Sequence, residues 1–226
     1  MIKSNKKLVV KIFIGILIIS ILNIISYTRI VHNGSGMGYC EGDDKSSIKK
    51  WKIKSSTITA YIVDGAGYYL DAYSHFISFL NRVELSETRG INYIEWNQLV
   101  NRALDNIKYA KETYSLLIEV AENTPYNQTV ISKLKNFDYD FYMNENKLNS
   151  VIFTKLENYL KKGDIRGIHK RIYSDVIYIE KLLLSIKEKM SLDKMPELSI
   201  LWELNETFSD TLIFGQYSSR VFHAIL

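Results

Sequence analysis

The chain has 226 residues, 46% of them apolar, and its 29 Lys and Arg against 25 Asp and Glu give a formal charge of +4. Five of the basic residues lie in residues 1–31, where there is no acid, so the remaining 24 face 25 acids at a net of −1. That balance excludes the basic footprint of a nucleic-acid-binding domain, and a single cysteine, Cys40, excludes an intrachain disulfide.

The first element is Leu8 to Tyr27, LVVKIFIGILIISILNIISY, and its sixteen residues from Ile12 to Tyr27 carry no charge. At about 1.5 Å per residue, this core with its flanks approaches the roughly 30 Å of a bilayer's hydrocarbon layer, which only a helix crosses unaided. Lys3, Lys6, Lys7 and Lys11 precede the run, whereas only Arg29 and His32 closely follow it. Lys- and Arg-rich flanks stay cytoplasmic, so the spacing predicts a cytoplasmic N-terminus and an extracytoplasmic remainder. Residues 1–30 are therefore read as a basic tip and transmembrane signal-anchor, with Lys11 extending its stem to keep the ammonium at the interface. The competing reading is a cleaved secretory signal, which would leave a secreted domain. It requires small residues close behind a shorter apolar region. Here the nearest, Gly34 and Gly36, stand seven and nine positions past Tyr27.

Residues 31–50 contain NGSGMG and EGDDKSS and read as a flexible tether. Cys40 lies in it, either as a free thiol or as half of an interchain disulfide in an oxidising compartment. Residues 51–226 then form one domain. From about Ser56 to Val83, Ile58, Ile62, Ala66, Tyr69, Tyr73, Phe76, Leu80 and Val83 recur at helical steps. A second stripe of the same helix carries Tyr61, Asp64, Tyr68, Asp71 and His75, and Gly65, Ala66, Gly67 and Ala72 leave room for a close neighbour.

Asn92 with Glu95 three residues on has the form of a helix start, followed by Trp96, Val100, Ala103, Ile107, Ala110, Tyr114, Leu117 and Ala121 in register. Thr124-Pro125 is read as cap and first residue of a third helix through Val130, Leu134, Phe137, Phe141, Leu148, Ile152, Leu156 and Tyr159, closed by Gly163. Its stripe falters across Asn144, Glu145 and Asn146, where a break before Asn149 would fall. Asp164 caps a fourth helix bearing Ile165, Ile168, Ile172, Val176, Ile179, Leu183, Ile186 and Met190. The fifth starts near Pro196 and carries Leu198, Leu201, Leu204, Phe208, Leu212, Gly215 and Phe222. The fold expected is all-α, an N-terminal transmembrane helix followed by an antiparallel bundle of four to five helices.

Little in the pattern points to catalysis. The Gly-x-Ser-x-Gly and His-Glu-x-x-His motifs and the phosphate loop are absent, and so is the Glu-x-x-His pair that di-iron bundles use. Asp71 and His75, four apart on one face, are the nearest metal-ligand pair, with Asp105, Glu112, Glu206 and Asp210 as acids that other helices could add. Tyrosine is abundant, with 16 residues, and combines apolar area with a hydrogen-bonding tip. A ligand pocket framed by Tyr61, Asp64 and Tyr68, with His75 deeper and Asp71 on the same stripe, is the candidate site. The expectation is a membrane-anchored binding or interaction module, accessory or sensory, that engages a partner protein or its own copies and uses no cofactor. The alternative is a metal- or cofactor-dependent enzyme built around Asp71 and His75.

Overall fold

The structure is a computed structural model that describes residues 45–123 and 126–225, with side chains from Thr57 onward. The apolar segment 8–27, Cys40, and Thr124 and Pro125 lie outside the described residues. Among those described, every element is helical, and no helix is long and apolar enough to cross a membrane. Seven helices follow in order: α1 (Lys45–Glu84), α2 (Tyr93–Glu122), α3 (Gln128–Lys135), α4 (Tyr139–Glu145), α5 (Ser150–Leu160), α6 (Ile165–Ser191) and α7 (Leu198–Ile225). A single helical turn, Ser86–Arg89, links α1 to α2.

The four long helices run alternately up and down. Phe79 meets Trp96 edge-on at 5.9 Å and Arg82 pairs with Glu95 at 2.9 Å, which sets α1 antiparallel to α2. Arg166 donates to the Ala121 carbonyl at 2.9 Å and Lys111 pairs with Glu180 at 2.6 Å, so α2 and α6 are antiparallel as well. Lys189 with Glu197 and Tyr178 with Glu203 turn α6 back into α7. Tyr69 to Phe208 and Tyr73 to Asn205 then bring α7 against α1.

On α1 the buried seam is Ile58, Gly65, Tyr69, Ala72, Phe76, Phe79 and Val83, a three-four alternation that turns deeper into the core than the stripe expected from apolarity alone. Phe79 and Ala72 are fully buried where Leu80 and Tyr73 were expected. One cause is size: a methyl placed on Gly65 would lie 3.0 Å from the Tyr114 ring, so α2 closes on α1 at Gly65. The helix also begins at Lys45, inside the stretch read as tether. The α2 stripe is buried as expected, with Leu104 added, and the Asn92 side chain accepts from the Glu95 amide at 3.1 Å.

The expected third helix is broken into α3, α4 and α5. Asn127, Asp138 and Asn149 each turn a side-chain oxygen onto backbone amides two or three residues ahead and start a new helix, α3 and α4 having closed at Asn136 and Asn146. Asp164 caps α6 through the Gly167 amide at 2.8 Å, after Gly163 has closed α5 at a φ of 66°. Two apolar clusters result. The larger lies among α1, α2, the C-terminal part of α6 and the first half of α7. The smaller gathers α3, α4 and α5 around the start of α6 and the end of α7, and Ile172 packs against both.

Candidate functional site

The stripe Tyr61, Asp64, Tyr68, Asp71 and His75 keeps its spacing on α1, and it faces outward more than inward. Asp64 and Asp71 are exposed, Tyr61 and His75 are half-buried, and Tyr68 is 38% exposed with its ring tilted against Tyr109 of α2 at 5.3 Å. Asp105, Glu112 and Glu206 are exposed, and Asp105 lies 4.0 Å from Lys108. Among the described residues no group of three or more His, Cys, Asp or Glu is placed to share a metal ion. Two surface depressions lie in the smaller cluster. One of about 250 Å³ is lined by Tyr126, Ile131, Asp164 and Arg166, and a wider groove of about 500 Å³ by Phe137, Phe141, Tyr142 and Ile225. Neither includes a residue of the α1 stripe.

The structure brings together a different set. Thr211 is buried on the inner face of α7, where its hydroxyl lies 2.9 Å from the Thr207 carbonyl one turn back and 3.2 Å from Asp175 Oδ2 on α6. The same carboxylate oxygen accepts from Arg171 Nε at 3.1 Å, and the Asp175 side chain is only 14% exposed. Tyr69 of α1 donates to the Phe208 carbonyl at 2.9 Å, and the Thr211 hydroxyl also interacts with its phenol. Burial raises the Asp175 carboxyl above the ordinary aspartate range, even though Arg171, Thr211 and Lys155 each act to lower it. Burial also drives the Tyr69 phenol well up, and elsewhere on α6 it pushes the buried His169 down to about 4. Sequence reasoning missed Thr211 and Asp175 because Thr and Asp read as surface residues. The available signal was register: from Leu204 and Phe208, a three-four seam arrives at Thr211 and, a heptad later, at Ser218, and both are buried.

A second feature lies on the surface. The α1–α2 and α6–α7 connections stand at one end of the bundle, because α2 and α6 are antiparallel. That end leaves Ile91, Ile94, Leu192, Met195, Leu198 and Trp202 exposed, with Ile94 at 75%, Leu198 at 65% and Trp202 at 67%. Scattered apolar residues are normal on a surface, whereas these six are gathered at one end of the bundle. No known protein family, curated protein or solved structure matches this chain.

Proposed function

We propose that the chain is a single-pass membrane protein whose helical bundle is an extracytoplasmic docking module for a partner protein, engaged through the apolar end of the bundle. The uncharged run from Ile12 to Tyr27 behind four lysines supports the anchor. The observation that carries the docking role is the exposure of Ile94, Leu198 and Trp202 together at one end. These residues are of the types that supply buried anchors in protein interfaces, aromatic above all.

Geometry favours a different protein over a second copy. The chain enters at the start of α1, a 40-residue helix about 60 Å long, and the apolar end lies at its far terminus. Two copies standing upright on one membrane would point these ends the same way, so end-to-end capping would need one of them to turn over on its tether. Photocrosslinking tests the reading in the full chain, in the cells that make it, with a photoreactive side chain at Trp202 or Ile94 and a control at exposed Lys181. A discrete adduct from both apolar positions, absent from Lys181 and lost in Leu198→Asp, supports docking there. Adducts of twice the chain's mass would replace the partner with self-association. No adduct from either apolar position would end the proposal.

A further inference from the structure

We propose that the seam between α1 and α7 receives a basic amphipathic helix of the docked partner. This assignment rests on the docking role above, since the seam opens at the same end through Leu198 and Trp202, and it specifies what the partner presents. The two helices are bridged by long side chains. Tyr69 and Tyr73 of α1 reach α7 with their phenol tips, one donating to the Phe208 carbonyl at 2.9 Å and the other to Asn205 Oδ1 at 3.3 Å. On its other flank α1 closes on α2 at Gly65, where no side chain intervenes. The α1–α7 side is therefore a shallow trough, floored by Tyr73 and Leu212, which pack on the larger cluster and stay half-buried.

Helical spacing places the borders of the trough. On α1, Tyr73 marks the flank toward α7, and Tyr68, against Tyr109, marks the flank toward α2. Val63, Leu70 and Ile77, seven apart and each half-buried, fall beside Tyr73, whereas Asp64 and Asp71, both exposed, fall beside Tyr68. On α7, Asn205 marks the flank toward α1, and Glu203, against Tyr178, marks the flank toward α6. Leu198 and Trp202 fall beside Asn205, whereas Glu206 and Asp210 fall beside Glu203. An apolar strip thus runs between two carboxylates on each side. From Val63 to Ile77 it is about 21 Å long, roughly four turns of a helix.

Charge selects the occupant. Neither residues 57–81 nor residues 195–219 contain a Lys or Arg, and together they hold six Asp and Glu, whereas α6 alone carries six Lys and Arg. The acidity is therefore local to the α1–α7 side. Among the described residues, Asp64, Asp71, Glu206 and Asp210 form no ion pair. A helix with apolar residues on one face and Lys or Arg along both edges of that face satisfies the strip and the carboxylates together. One with acidic edges would be repelled.

The test extends the photocrosslinking of the full chain in its own cells to Val63 and Leu70, with the attached peptide identified by mass spectrometry. We expect both positions to give the adduct obtained from Trp202, joined to a peptide of net positive charge with apolar residues at helical spacing. Reversing one border in Asp64→Lys/Asp71→Lys should cut that adduct by about tenfold or more, because like charges then face each other. Glu112→Lys/Glu119→Lys makes the same charge change on exposed positions of α2 and should leave the yield within about twofold. An adduct at Trp202 and Ile94 with none at Val63 or Leu70 would overturn this assignment and leave the docking role standing. No adduct at any of the four positions would end both. An attached peptide of net negative charge, one from residues 1–44 of the same chain, one from a second copy, or equal losses in the two double variants would each overturn the basic helix.

Discussion

Phe208→Ala should remove the main attachment of α7 to α1. The ring is fully buried and lies 5.3 Å from Tyr69, 5.0 Å from Tyr73 and 5.5 Å from Phe76, all three on α1. Truncating a buried phenylalanine to alanine costs about 3–5 kcal/mol through lost transfer energy and the cavity left behind. Here three α1 rings each lose one aromatic contact at once, Phe76 keeping Phe79, and such pairs contribute roughly 0.5–1.5 kcal/mol each beyond area, so the loss should sit near the top of that range. The bond from Tyr69 to the Phe208 carbonyl goes to backbone and survives unless α7 shifts. Equilibrium unfolding in urea measures the effect. With a slope of about 2 kcal/mol per molar, the midpoint should fall by roughly 2 M. Phe141→Ala is the internal control, because that ring is 64% exposed, and it should change stability by no more than about 0.5 kcal/mol. A loss below about 1 kcal/mol for Phe208→Ala, or equal losses for the two variants, would mean that α7 does not pack on α1 as described.

Two neighbouring glycines of α1 should behave oppositely. Gly67 has nothing within 4 Å of a placed methyl, so Gly67→Ala should raise the unfolding midpoint by the roughly 0.5–1 kcal/mol that a mid-helix glycine costs. Gly65→Val would drive carbon into the Tyr114 ring and should cost about 1–3 kcal/mol; a neutral result would place the α1–α2 contact elsewhere. His169 sets the acid limb. Its imidazole is buried and pushed from 6.5 down to about 4, so the stability it contributes is complete above pH 6.5 and is lost as pH falls toward 4. The shift corresponds to about 3 kcal/mol, and urea midpoints at the two ends of that window should differ far more for the wild type than for His169→Leu. Parallel losses in the two proteins would show that another group governs the acid limb.

The starts of α2 and α6 and their stripes were legible because their signals are local and do not conflict. Asn92, Asp164 and Gly163 do in the fold what their chemistry dictates, and every apolar residue counted along α2 is buried. The segment from Thr124 to Gly163 was read as one helix with a break before Asn149; that break is there, and the one at Asp138 was missed because the apolar residues stay nearly in register across it. Asp138 ends that continuity by capping the Phe141 amide at 3.0 Å, a local hydrogen bond that hydrophobic periodicity does not weigh. The candidate site was the least legible part. Asp64, Tyr68 and Asp71 share a face, as their spacing requires, but which way that face points was decided by Gly65, whose missing side chain lets the Tyr114 ring of α2 close on the neighbouring face.

The same conflict between local pattern and packing explains why α7 buries Thr211 and Ser218 instead of Leu212 and Gly215. A helix that serves one cluster can keep a single apolar stripe, but α7 must present Leu204 and Phe208 to α1 and then Phe214, Val221 and Ile225 to the smaller cluster. Over that transition its inward face rotates, and a residue between the two stripes is covered whatever its type. A bulky apolar side chain there would have to fit beside Asp175, whose carboxylate would then lose its donor on α7 and keep only Arg171, a loss of about 1.5–3 kcal/mol for one hydrogen bond to a charged group. Threonine fits because its hydroxyl can fall back on the Thr207 carbonyl when it is not serving the carboxylate. A polar residue at a core position is therefore what permits one helix to hold both clusters, and Asp175 is tolerated beside it for the same reason.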